Sequence, residues 1–315
     1  MHLDVSTLAV MLGERRYGEC RDAASQLLQA RDLTEPEKAQ VFLALSDSRY
    51  ALHAGQEAIG PAELAVYFGR QGGDYDLVGR ALCHLATLYH ESGLQKRAVN
   101  CLDEFFQYFG LYTRARALEG WVLSQLGLYY QAMGRGGKAL DYFKRAYAWH
   151  MATGATPQAL EEQRGRLVWQ YLKLGNLDEA GELLGLSGAY LKGAPNDLDA
   201  RACYLNNLAY RYFLIGRYGT AIDSAVQALQ VRNASALRKG QACLTLHYAA
   251  KAMGLIPEAM GLGTLARIQA NVARRPDIEE EATRSMLHIQ QYQGLPLMDE
   301  LLRSLRQFTA ATNKS

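Results

Sequence analysis

Five polar side chains recur at one place in a pattern of about forty residues: His84, Gln125, Arg166, Asn207 and Thr245. Three residues further on in each copy stand Thr87, Leu128, Trp169, Tyr210 and Tyr248. Amides, imidazole and hydroxyl groups can pair with a peptide backbone, while large rings can bury its side chains. Side by side, the two rows offer what an extended peptide needs. Arg80, Arg166, Lys173 and Lys251 add positive charge, which favours a ligand carrying an acidic side chain or a free carboxylate. Trp121 and Phe213 lie near the same row and either extend the ring strip or belong to the core. Polar residues on a solvent-facing helix, and an asparagine at the Asn207 position in particular, can equally serve the fold alone.

Other patterns begin a reaction site and do not complete it. Gly134-Arg135-Gly136-Gly137-Lys138 imitates a phosphate loop, but G-x-x-x-x-G-K-[ST] needs glycine at 132 and a hydroxyl at 139, where the chain has Ala132 and Ala139. Gly185-Leu186-Ser187-Gly188-Ala189 lacks the glycine spacing of a nucleophile elbow. Cys83, His84 and His90 share a helix, yet the two histidines are six apart, whereas a ligand pair prefers i and i+4. Glu279-Glu280-Glu281 follows Pro276, where negative charge complements a helix start. No nucleophile, base or metal set assembles, so neither enzyme activity nor a cofactor or metal is expected.

The polar and aromatic rows are positioned by a repeat. Gly93, Gly134, Gly175, Gly216 and Gly254 are spaced 41, 41, 41 and 38 residues apart. A leucine stands eight before each (Leu85, Leu126, Leu167, Leu208, Leu246) and an alanine five after each (Ala98, Ala139, Ala180, Ala221, Ala259). Four before come Tyr89, Tyr130, Tyr171, Tyr212 and Ala250. This is the signature of a helical hairpin. Leucine, a small residue and tyrosine at i, i+1 and i+4 make one stripe of the first helix, glycine makes the turn, and alanine lets the second helix approach. At 100° per residue, the places 13, 9, 6 and 2 before the glycine then share the opposite face, which lines the concave side of a stacked array.

The unit Leu126-Gly127-x-x-Tyr130-x-x-x-Gly134-x-x-x-x-Ala139-x-x-x-Phe143-x-x-Ala146 resembles the tetratricopeptide repeat family. HEAT and armadillo arrays, with repeats of about 40–47 residues, share the period but not these offsets. The usual tetratricopeptide period is about 34, and the lengthened units are similar to those of kinesin light chains and of Gram-positive peptide-pheromone receptors. The resemblance implies an all-α, tetratricopeptide-like α-solenoid, a right-handed superhelix of helical hairpins that holds a protein or peptide in its groove. Leu205-Asn206-Asn207-Leu208-Ala209 looks like the receptors' peptide-holding motif, which implies that role for Asn206 and Asn207. Those regulators usually carry an N-terminal DNA-binding or phosphatase-type module. Here the first helix pair already carries the solenoid pattern from about Leu3, so direct DNA reading is not expected.

His53 with Ala58, and Arg15 with Cys20, keep the five-residue offset without the glycine. About seven repeats follow: clear ones over 79–275 and divergent ones over 3–70, within a single solenoid of residues 1–315. A capping segment over 277–309 comprises a helix over 277–293 and an amphipathic stretch from Leu297 to Phe308, and the tail from Thr309 is expected to fray.

With 49% hydrophobic and 21% charged residues the chain has the composition of a folded domain, and a net charge of +2 gives no global field for nucleic acid or anionic lipid. The start lacks a basic region and a cleavage site, and no apolar run approaches the roughly 18 residues a membrane span needs. Five scattered cysteines without a C-x-x-C pair fit a reducing cytoplasm and buried packing roles. The functional expectation is a protein- or peptide-binding scaffold, or alternatively the peptide-sensing module of a bacterial regulatory system. An exposed terminal unit would also allow a homo-oligomer.

Overall fold

Each repeat glycine ends a helix in the left-handed conformation, with φ between 71° and 80° at Gly93, Gly134, Gly175, Gly216 and Gly254. At Gly93 the closure is complete: Gly93 N–H donates to His90 O at 3.0 Å and Leu94 N–H reaches back to Tyr89 O at 2.7 Å, so two end carbonyls of the helix are satisfied. The two divergent units make the same turn without glycine. Arg15 and His53 take φ of 59° and 64°, a conformation that costs a side-chain-bearing residue roughly 1–2 kcal/mol. The turn is therefore a property of the repeat, and glycine is the cheapest way to make it.

The computed structural model describes residues 4–30, 32–53 and 55–287. Seven successive helix pairs run α1 (Val5–Gly13) and α2 (Tyr17–Ala30), α3 (Glu35–Ala51) and α4 (Gly55–Gln71), α5 (Tyr75–Glu91) and α6 (Gln95–Gln107), α7 (Glu119–Ala132) and α8 (Gly136–Ala152), α9 (Pro157–Lys173) and α10 (Leu177–Gly193), α11 (Leu198–Leu214) and α12 (Tyr218–Gln230), α13 (Ala236–Ala252) and α14 (Ile256–Val272). A further helix, α15 (Pro276–Leu287), follows, and no strand occurs among the described residues. The expected capping helix thus begins at the predicted place. Its remainder, and the stretch from Leu297 to Phe308, lie outside the described residues.

The long period has a simple origin. α9 and α10 are each 17 residues, and two such helices with two short turns fill 41 positions. Starts are set by side-chain caps: Asp74, Thr156, Asp197 and Ser235 each accept a backbone N–H of the first turn. The alanine five residues past each turn is fully buried in every pair, as is Cys20 in the first. Gly165 brings α9 against α11 so closely that a Cβ there would lie 2.6 Å from Cys203 Sγ. All five cysteines are buried and free. No described helix is long and apolar enough to cross a membrane.

The chain divides into two compact units, residues 1–130 and 131 onward. In the first, Val5, Leu8, Cys20, Ala24, Leu27, Val41 and Leu45 make one apolar cluster. In the second, α9, α11, α13 and α15 pack in succession, and α10, α12 and α14 each pack against the two of them that flank it in sequence.

The first unit contains the longest link, residues 108–118, made of two short 3-10 turns. Asp76 at the start of α5 latches it, accepting Thr113, Arg114 and Ala115 N–H, each at 2.9 Å, together with the Thr113 hydroxyl. These bonds favour the carboxylate and lower its pKa to about 2, with the Ala115 N–H foremost. A depressed carboxylate pKa stabilises the fold above the unfolded value, and that stability is lost as pH falls through the folded one. Asp76→Ala should therefore cost about 1 kcal/mol at neutral pH, given the solvent exposure of the latch. In urea titrations over a pH series, the difference from wild type should shrink below about pH 4 and vanish toward pH 2.

Candidate functional site

Of the residues singled out by the sequence, Arg80, His84, Trp121 and Gln125 belong to the first unit. There, His84 on α5 reaches α3, with Nε2 at 2.9 Å from Ser46 Oγ and Nδ1 at 3.3 Å from Asp47 Oδ1. Hydroxyl, imidazole and carboxylate stand in the order of a hydrolytic triad. The proton count argues against that role. Ser46 is fully buried and donates its hydroxyl proton to Ala58 O at 2.7 Å, so its oxygen must accept from His84 Nε2–H. The imidazole then has no proton to take from it, and substrate cannot reach it. Burial pushes the Asp47 carboxyl up, against the pull of His84 and Arg80, and pushes His84 down, against Asp47 and Glu91. Tyr50 packs edge-on to His84 at 5.6 Å and donates to Glu91 at 2.7 Å. Arg80 is exposed beside Asp74, Asp76 and Arg114 in a cavity. Trp121 is 36% exposed and Gln125 half-buried.

In the second unit, the two asparagines correct the sequence reading. Asn207 is 3% exposed and donates to Gly165 O at 3.1 Å, and Asn206 is fully buried and donates to Arg238 O at 2.8 Å. Both stitch α11 to its neighbours, Asn207 to α9 and Asn206 to α13, rather than facing an open surface. At His84 and Asn207, nine residues before the turn, the side chain faces the preceding helix pair, as His84 does toward Ser46. Ser285 repeats that contact, with Oγ 2.8 Å from His247 Nε2. Thr245, at the same place, is also buried.

The ring strip is likewise covered rather than exposed. Trp169 and Tyr210 are 5% and 7% exposed, and their rings pack at a tilt with centroids 4.9 Å apart. Phe213 continues the stack at 5.9 Å from Tyr210 and 5.7 Å from Tyr248. The rings form a shelf linking α9, α11 and α13. Lys173, one turn beyond Trp169 on α9, lies on this shelf with Nζ 5.7 Å from the centroids of both Trp169 and Tyr210, within range of a cation–π attraction.

One carboxylate oxygen completes the constellation. Glu281 Oε1 on α15 accepts from Lys173 Nζ and also from the Tyr248 hydroxyl at 2.7 Å. Burial first, and then the Glu281 charge, push the Tyr248 hydroxyl well above its ordinary value, so it remains a donor. Lys251 Nζ reaches Ser285 O and Oγ at 3.3 and 3.4 Å. Asp277 accepts from Gln131 at 3.4 Å and pairs with Arg275 at 2.7 Å. Arg166, paired with Glu162, is half-buried. Burial lowers its pKa, and the like charges of Arg275 and Arg238 add to this against the pull of Glu162. Arg238 pairs with Asp199 at 2.9 Å. Trp169, Lys173, Tyr210 and Tyr248 thus come together in one site, whereas Asn206, Asn207, Arg166 and Lys251 serve neighbouring contacts.

Sequence reasoning missed Asp47, Ser46 and Glu281, and read Glu281 only as charge at a helix start. A signal existed. Gly294 follows Gly254 by 40 residues, and Glu281 stands 13 before it, the place of Arg80 and Trp121 in their units.

Solved tetratricopeptide-repeat structures share the fold of this chain. A tetratricopeptide repeat protein from Parabacteroides merdae matches over 97% of each chain at 13% identity, with a TM-score of 0.59. RapI in its apo form covers 87% of this chain and 97% of its own at 15% identity and a TM-score of 0.61. Aspartyl phosphate phosphatase F from Bacillus subtilis covers 92% of this chain and 70% of its own at 18% identity and a TM-score of 0.55. At such identities the likeness is one of fold, and no family model or curated protein matches the sequence.

Proposed function

We propose that this tetratricopeptide-type fold serves as a non-catalytic binding module in the cytoplasm, whose second unit holds an acidic stretch of a protein or peptide. The observation that carries the reading is the convergence of an ammonium from α9 and a hydroxyl from α13 on a single carboxylate oxygen above a shelf of rings. Two donors on separate rigid helices fix the position of an acidic group better than one flexible lysine could. A partner segment lying along α9, α11 and α13 would place its own carboxylate there.

The test is selection from a random peptide display library on the full chain, followed by titration of the selected peptides. Selected sequences should be rich in Asp and Glu. Their affinity should fall roughly tenfold or more in Lys173→Met, which keeps an apolar side chain on the rings and removes the charge. Selection of neutral or basic peptides, or affinity indifferent to Lys173→Met, would refute the proposal.

A further inference from the structure

We infer that Glu281 is a tethered competitor for the binding site, so that a ligand is captured only if its own negative charge displaces the Glu281 side chain. The inference rests on the reading of Lys173 and Tyr248 as the groups that recognise an acidic segment.

Three observations support it. First, Glu281 occupies both donors at once, through the same oxygen. Second, the contact lies at an edge and is not sealed: the Glu281 and Lys173 side chains retain 27% and 24% of their exposure, so a ligand can approach. Third, the backbone of α15 is held by other residues. Ile278 and Ala282 are buried at 2% and 0% in a cluster with Cys243, Leu244, Ala266 and Ala270. Glu281 can therefore swing away by side-chain rotation while α15 stays docked, a rotamer change and not an unfolding step. Of its two acidic neighbours, Glu280 pairs with exposed Arg284 on the outer side, so among these three consecutive acids Glu281 is the one bonded to Lys173 and Tyr248.

A competitor fixed within reach acts at high effective concentration and lowers the apparent affinity of anything that needs its place. A neutral side chain cannot replace it, because the Lys173 ammonium would lose its counter-charge. The device therefore weakens binding of an acidic segment, while the preference for negative charge is set by Lys173 itself.

Fluorescence anisotropy of the full chain tests this with two labelled, end-blocked hexapeptides, one alternating glutamate with serine and the other glutamine with serine. Glu281→Gln should bind the acidic peptide roughly tenfold tighter than wild type and leave the neutral peptide unchanged. Glu281→Asp, which keeps the charge but is one methylene too short to reach both donors, should fall between them, and circular dichroism melts would confirm that each variant is folded. Charge-dependent binding with no gain in Glu281→Gln overturns the competitor inference alone. Acidic binding that is absent throughout, or indifferent to Lys173→Met, overturns the site reading and the inference with it.

Discussion

Exchanging Lys173 for glutamate should abolish capture of an acidic segment and weaken the second unit at the same time. An attraction becomes a repulsion, a swing of roughly 2–3 kcal/mol or about a hundredfold in affinity. Within the fold, two carboxylates would then compete for the Tyr248 hydroxyl, beside rings that exclude water. Because the Lys173–Glu281 pair is only partly buried, the stability cost should be about 1 kcal/mol. The control is the reversed pair, Lys173→Glu with Glu281→Lys. Urea denaturation of the four proteins forms a double-mutant cycle, and the reversed pair should recover most of the lost stability, with a coupling of about 0.5–1 kcal/mol. Recovery absent from the cycle would mean that the two side chains do not act as a pair.

Phe105→Ala should produce the largest loss of stability, about 3–5 kcal/mol. Phe105 at the end of α6 is fully buried and is the centre of an aromatic group: Tyr112 lies 4.7 Å away, Phe106 5.6 Å and Phe109 6.2 Å. Tyr112, itself 3% exposed, anchors the link over residues 108–118 against this ring. Removing the ring leaves a cavity and frees the link at its apolar end, so the Asp76 latch alone would have to hold it. Urea denaturation should show the loss, and amide exchange should rise first over 108–118. A cost below about 1 kcal/mol would show that the link repacks into the space.

The repeat was legible because its signals are local. Glycine, leucine and alanine at fixed offsets report a turn, a buried stripe and a close approach, each decided within one helix pair. Even the two units without glycine could be found, since Ala58 and Cys20 keep the five-residue offset from His53 and Arg15, where the structure makes the same left-handed turn. What one helix could not reveal is which of its faces the next unit covers. From one helix the row holding His84, Asn207 and Thr245 looks open, but stacking buries Asn207 and Thr245 and turns His84 and Asn207 toward the preceding helix pair. Trp169 and Tyr210 look like a docking strip for the same reason, but they pack at a tilt against one another with Lys173 Nζ over both rings.

The partners that complete the sites come from distant positions. Glu281 lies 108 residues from Lys173, and its role depends on how four successive first helices are arranged. Lys173 and Tyr248 could be chosen from charge and ring type alone. That both would meet on one carboxylate oxygen could not be read from the sequence.

A crystal structure of the full chain with the acidic hexapeptide bound should show a peptide carboxylate within hydrogen-bond reach of both Lys173 Nζ and the Tyr248 hydroxyl, with Glu281 turned toward solvent and α15 still docked through Ile278 and Ala282. A peptide bound elsewhere, with Lys173 still paired to Glu281, would contradict this mode of binding.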